Sequence, residues 1–241
     1  MQSAHPVGST EPTTDARLVP GYYFRPEGLG PYVTGLLNGC SSVFDIKAAM
    51  AADLDHGAER VRLGHGLVED GALVRGEVII QSGARIEAGA RVMGPVLICT
   101  GAVVAAGALV RDHSVIGPGC RVGFGAEVTR SLLAGHVYMK HPCFVGDSVI
   151  GCRVNIGSFC STTALRCDRG PLTEPASEEI AVNLDGQRIT TGQTKFGAII
   201  GDEVALPAGT VLAPGTLIGP GTVVYPRDHV GGFLPAGSRI R

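Results

Sequence analysis

From Val68 to Val128 every sixth residue is aliphatic: Val68, Val74, Ile80, Ile86, Val92, Ile98, Val104, Val110, Ile116, Val122 and Val128. That period fits neither the roughly 3.6 residues of a helical turn nor the simple alternation of a sheet with one buried face. It requires a solenoid whose coil is a whole number of hexads, so that each aliphatic side chain returns to the same narrow interior. Small pairs precede many of the aliphatic positions, among them Gly83-Ala84, Gly89-Ala90, Gly101-Ala102, Gly107-Ala108 and Gly125-Ala126. They suit crowded corners where a larger side chain would clash. Coils of this kind stack at ordinary strand spacing, roughly 4.8 Å.

The pattern resembles the hexapeptide repeat of left-handed parallel β-helices, in which three hexads make one triangular coil. The expected class is therefore all-β. The left hand comes from the resemblance, because the general rule for parallel crossovers predicts the opposite. With 36 Gly, 15 Pro, no Trp and 5% aromatic residues, the composition suits thin aliphatic layers rather than a core built around large rings. A formal charge of -2 supplies no basic field for nucleic acid. No apolar run has the length of a membrane span, and the N-terminus lacks a charged segment followed by an apolar one. A soluble, cytoplasmic protein without nucleic-acid or membrane partners is expected. Seven cysteines, at 40, 99, 120, 143, 152, 160 and 167, form no C-x-x-C pair. They are expected to be reduced thiols used as small core residues, with Cys143 the one to watch for reactivity.

Residues 1–20 are polar and aperiodic and are expected to form a mobile tail, followed by an N-terminal cap over 21–60. In the cap, Ser41-Ser42 offers an N-cap for a short helix from Val43 to Leu54, expected to close the open end of the prism. The β-helix is expected over 61–230, with a C-terminal tail over 231–241. After Val128 the register shifts and resumes at Leu132, Tyr138, Phe144, Ile150 and Ile156, which makes Tyr138 and Phe144 inward-facing. An irregular coil in a strict repeat is where a site is expected. Hexads vanish over 166–194, where two short strands about Asp185-Gly186 predict a hairpin arm thrown out of the solenoid. The repeat returns at Ile200, Leu206, Leu212, Ile218 and Val224.

The runs MKHPCFVGDSVIGCRVNIGSF and NLDGQRITTGQTKFGAIIGD, with the final coils, are similar to the C-terminal domain of bifunctional sugar-1-phosphate nucleotidylyltransferase/acetyltransferases. The similarity spans roughly residues 40 to 230. The Gly-rich G-x-G-T-R loop of the other half of such enzymes is absent, so nucleotidyl transfer is not expected.

The resemblance implies transfer of an acyl group, typically acetyl, from acyl-CoA to the amine of an amino sugar or its phosphate. It implies a homotrimer with sites in the clefts between prisms, the arm reaching the adjacent subunit. His141 falls on the general base, Asn155 on an Asn at the acetyl and sugar site, and Lys195 on a lysine that binds the sugar phosphate. Ala208 and Pro226 fall opposite positions that contact CoA. Three departures stand out: Phe144 replaces a Tyr, Ala164 replaces an Asn, and Gln193 and Thr194 replace paired arginines. They point to a changed acceptor.

His136, Tyr138 and Lys140 are further candidates to touch substrate, Lys140 by assisting phosphate or lowering the pKa of His141. His136 and His141 have the H-x4-H spacing of zinc-binding hexapeptide-repeat carbonic anhydrases. The only nearby third histidine, His113, lacks a matching motif, and no metal is expected. Two other readings stay open: a catalytically silent trimeric scaffold, and a CoA-independent enzyme with a closed pocket around His136, Tyr138 and His141.

Overall fold

In the computed structural model, which describes residues 15–56, 66–166, 178–227 and 229–241, successive short strands go to three parallel sheets in rotation. Sheet I has nine strands and sheets II and III have eight each, so the solenoid makes about nine turns. This is the left-handed parallel β-helix expected from the hexads. In the regular part Val74 pairs with Val92, Ile80 with Ile98 and Ile86 with Val104, one coil of three hexads apart. Those residues fill a single axial core of thin aliphatic layers. Residues 1–14, 57–65 and 167–177, with Cys167 and part of the expected tail and arm, lie outside the described residues.

Beyond Val128 the inward positions are Leu133, Met139, Val145, Ile150 and Ile156; Ile150 and Ile156 are as expected, but Leu133, Met139 and Val145 take the places expected for Leu132, Tyr138 and Phe144. Val128 pairs with Val145 and Leu133 with Ile150, so these coils are one residue short. Tyr138 and Phe144 consequently face outward, Tyr138 exposed and Phe144 half-buried. The lost residue comes from the corner between sheets II and III. In the preceding coil that corner holds two left-handed residues, Asp112 and His113 at φ 51° and 49°; in the next two it holds only Arg130 at 45° and Asp147 at 52°.

Buried serines complete the tight corners. The Ser131 hydroxyl donates to the Thr129 carbonyl at 2.8 Å and accepts from Ser148 N–H at 3.0 Å. Ser148 repeats this, donating to the Gly146 carbonyl at 2.7 Å and accepting from Ala198 N–H at 3.0 Å. Ser148→Ala is expected to lower stability by about 1–3 kcal/mol by orphaning a buried N–H, while Ser158→Ala on a half-buried corner stays within about 0.5 kcal/mol. Urea midpoints of the two variants check this.

The N-terminal helices do not close the prism. α1 (Pro20–Tyr23), α2 (Gly30–Asn38) and α3 (Ile46–Asp55) pack on the outer face of sheet III, with Tyr23, Leu29, Val33, Ile46 and Met50 against Leu97, Val115, Leu132, Val149 and Ile199. The first strand is left bare, with Leu67 55% and Val68 41% exposed. Sheet III is apolar on both faces, whereas sheet I shows Arg85, Arg121 and Asn155 outward, so burial drives the helices onto sheet III. α3 starts later than expected; Ser42 Oγ accepts from Phe44 N–H in the preceding turn, and Asp45 caps that turn through Ser42 N–H.

The hairpin forms as expected, Ala181–Leu184 against Gln187–Thr190, with Asp185 and Gly186 both at positive φ. Rather than projecting free, it lays Ile180, Val182 and Leu184 in the same apolar cluster as the sheet III residue Leu217. Arg17 Nη1 holds its tip through Asp185 at 2.6 Å.

Candidate functional site

His141 emerges, exposed, on the edge where sheet I turns into sheet II. The same corner position in neighbouring coils is held by Phe124 before it and by Ser158, Ala208 and Pro226 after it. At strand spacing Ala208 lies about 10 Å and Pro226 about 14 Å along this edge from His141. On the adjoining face of sheet I, Tyr138 is the register partner of both Arg121 and Asn155, and Asn155 is the partner of Ala205. Lys140 Nζ stands 5.2 Å from the centre of the Tyr138 ring. On sheet II, Phe144 lies between Glu127 and Ser161. One edge thus gathers His141, Tyr138, Lys140, Asn155, Phe144, Ala208 and Pro226.

Cys143 is not available as a nucleophile there. Burial pushes its thiol up to about 12, and its Sγ donates to the His141 carbonyl at 3.1 Å. A thiol held that high carries almost no thiolate at neutral pH.

Three other candidates stand elsewhere. His136 occupies the edge between sheets III and I, its ring packed over Gly119, where a Cβ would come within 2.6 Å of Nδ1. A whole sheet I strand, roughly 15 Å, separates it from His141. His113 is on the remaining edge, its Nε2 2.7 Å from Asp55. The three histidines therefore sit on three different edges and neither the closed pocket nor the H-x4-H site exists within one chain. Among the described residues no three His, Cys, Asp or Glu side chains cluster as metal ligands.

Lys195 and Ala164 lie at the edge between sheets II and III, where the Ala164 carbonyl accepts from Phe196 N–H at 3.0 Å. Here α3 and the return from the hairpin bound an open cleft of about 730 Å³ lined by Lys47, His113, Arg130, Asp147, Gln193 and Lys195. Asp147, 3% exposed, is its fixed point. Arg130 grips the carboxylate through Nε at 3.0 Å and Nη2 at 2.8 Å, and Lys47 Nζ adds a third contact at 2.9 Å. Burial works to raise the Asp147 carboxyl, but the Arg130 and Lys47 cations outweigh it and hold it below the usual carboxylate range. Burial draws the Lys47 ammonium below its ordinary value, with Asp147 opposing. Lys47 also donates to the Lys195 carbonyl at 2.7 Å. The Lys195 side chain is exposed and makes no ion pair among the described residues. From His141 to Asp147 is one sheet II strand, roughly 20 Å, so the two expected halves of the site do not meet in one chain.

A hexad solenoid with a histidine-bearing edge defines the class as a hexapeptide-repeat β-helix. The chain belongs to the GMPPB C-terminal domain family, whose model matches residues 92–216. The bifunctional sugar-1-phosphate nucleotidylyltransferase/acetyltransferase of Sulfurisphaera tokodaii is 34% identical over 161 residues, 67% of this chain and 38% of that protein. The bifunctional protein GlmU of Methanococcus maripaludis (strain C7) is 51% identical over 139 residues, 58% of this chain and 32% of that protein. The chain thus spans 32–38% of the length of these relatives. Among solved structures, the UDP-N-acetylglucosamine acyltransferase from Campylobacter jejuni aligns with a TM-score of 0.27 and 15% identity over 66% of this chain and 68% of that one.

Proposed function

We propose that this chain is an acyl-CoA-dependent N-acyltransferase, acting as a homotrimer on an amino sugar, an amino sugar phosphate or a related small amine. The observation that carries the reading is the shared edge: His141, solvent-facing, stands in line with Ala208 and Pro226, with Asn155 and Tyr138 on adjacent rungs. An imidazole exchanges protons near neutrality, which suits removal of a proton from an attacking amine. As the new C–N bond forms and the thioester C–S bond breaks, the proton held on His141 goes to the departing thiolate. The Asn155 amide is a donor for the developing oxyanion. The names of the relatives, a sugar-1-phosphate nucleotidylyltransferase/acetyltransferase among them, support an acetyl donor and a sugar acceptor. Phe144 and Ala164, which supply no hydroxyl or amide, support an acceptor that differs from theirs. The free thiols fit a reducing compartment such as the cytoplasm, and no described helix is long and apolar enough to cross a membrane.

The test is thermal unfolding with acetyl-CoA and with free CoA, on the natural protein and on His141→Ala. Ligand at a hundred times Kd stabilises by about 2.7 kcal/mol, so both proteins are expected to shift clearly. Turnover with a panel of amines is then expected to fall by about 10²–10⁴-fold in His141→Ala. Absence of any CoA shift overturns the reading and leaves the scaffold and CoA-independent alternatives.

A further inference from the structure

Where sheet I turns into sheet II, five coils carry the turn on Gly71, Gly89, Gly107, Gly125 and Gly209, at φ between 71° and 92°. In the coil immediately after His141 the same position is Phe159, at φ 60°. Glycine adopts this left-handed conformation freely, whereas a bulky side chain is strained in it. Nothing in the chain repays that strain through burial, because Phe159 is 70% exposed. The coils of His141 and Pro226 put Pro142 and Arg227 at this position without a positive φ, so among the described residues Phe159 is the one non-glycine held in the left-handed conformation at this corner, an outlier that points to a role outside the fold.

The surrounding surface says what kind of ligand it meets. Five large hydrophobic residues are exposed among those described. Leu67 and Val68 belong to the bare first strand; the other three, Phe124, Tyr138 and Phe159, all lie within one coil of His141. The wall beside the histidine is therefore aromatic. Phe159 is fixed on it by its own N–H, which donates to the Pro142 carbonyl at 2.6 Å, and Gly209 N–H donates in turn to the Ser158 carbonyl at 2.8 Å. The ring thus stands between His141 and the Ala208–Pro226 end of the edge.

We infer that Phe159 is a positioning residue on which the thioester end of the acyl donor lies, holding its carbonyl at the His141 rung. The inference rests on the acyltransferase reading. A pantetheine arm running along the edge from Pro226 toward His141 has to cross the Phe159 rung, and its methylene and amide groups are suited to packing on an aromatic face. The acyl group then projects toward Phe124, the other exposed ring.

The experiment compares the natural protein with Phe159→Gly and Phe159→Leu in calorimetric titration with acetyl-CoA, unfolding without ligand, sedimentation and steady-state kinetics. Phe159→Gly matches the neighbouring corners, so it is expected to fold and to melt about 2–4 °C higher through loss of strain. Its Kd for acetyl-CoA and its KM for the donor are expected to rise about tenfold, with the acceptor KM little changed, and Phe159→Leu is expected to recover part of the affinity. A merely structural ring would move the melting temperature without the donor KM. CoA binding that Phe159→Gly leaves unchanged overturns the inference alone. Loss of the oligomer in Phe159→Gly also overturns it, making the ring a subunit contact. Failure of the natural protein to bind CoA overturns the acyltransferase reading and this inference with it.

Discussion

Asp147→Asn is expected to destabilise the fold by about 3–5 kcal/mol, the usual cost of removing one partner from a buried ion pair. Asparagine is the clean substitution, because Asp147 sits at φ 52° and Asn tolerates that conformation nearly as well. What changes is the charge that Arg130 and Lys47 share. Burial draws the Lys47 ammonium below its ordinary value and Asp147 opposes that shift, so the carboxylate offsets part of the cost of burying the cation. Without the carboxylate, α3 loses its polar tether to the solenoid and the return from the hairpin loses the order that Lys47 imposes on Lys195. The pH dependence follows from the lowered carboxyl. Its unfolded value is near 3.9, so the stabilisation is complete above about pH 5 and is lost as pH falls through the lower folded value. Urea unfolding of both proteins between pH 7 and pH 3 is therefore expected to show a constant gap down to about pH 5 that narrows below pH 4. A gap that does not narrow would mean the cost comes from packing.

The solenoid was legible because its core repeats without fault from Val68 to Val128. The irregular coils were not, for a definite reason. At each inward position two adjacent residues are apolar, Leu132 and Leu133, Tyr138 and Met139, Phe144 and Val145, Val149 and Ile150. Period alone cannot choose between members of such pairs. The choice is made at the corner, where a single left-handed residue followed by a buried serine shortens the coil. Arg130-Ser131 and Asp147-Ser148 were the available signal. The flank was readable too. Sheet III strands such as Val96–Ile98, Leu132–Gly135 and Val149–Cys152 are continuous apolar runs rather than alternating ones. That is the mark of a sheet covered on both faces, and it called for helices on the side of the prism instead of its end. Lys195 shows the limit of motif matching, since its neighbours fix its identity in a pattern but not the edge on which it emerges.

On the proposed homotrimeric acyltransferase, mixing two crippled variants, His141→Ala and Lys195→Ala, is expected to restore about a quarter of natural activity in co-assembled trimers. Alone, the first lacks the proposed base and is expected to lose about 10²–10⁴ in kcat. The second, assayed at low acceptor concentration, lacks the proposed charged contact to the acceptor, worth about 1.5–3 kcal/mol, and is expected to fall about 10–100-fold. The recovery follows from geometry. A three-fold ring joins two different patches of each chain. Sheet III is covered by α1–α3 and the hairpin, while among the described residues none of these elements packs on the face of sheet II, which carries the His141 edge on one side and the Lys195 cleft on the other. In the proposed homotrimer, a ring with sheet II toward the axis would bring the His141 edge of one chain against the Lys195 cleft of the next and so close the roughly 20 Å gap within the chain. In an equal mixture, half the His141 edges are intact, and half of those face an intact lysine. If both residues instead served a site within one chain, no mixed interface would be whole and activity would stay at the average of the two variants. The same null result follows if Lys195 takes no part, but then Lys195→Ala alone keeps its activity, so the single-variant assay separates the two cases.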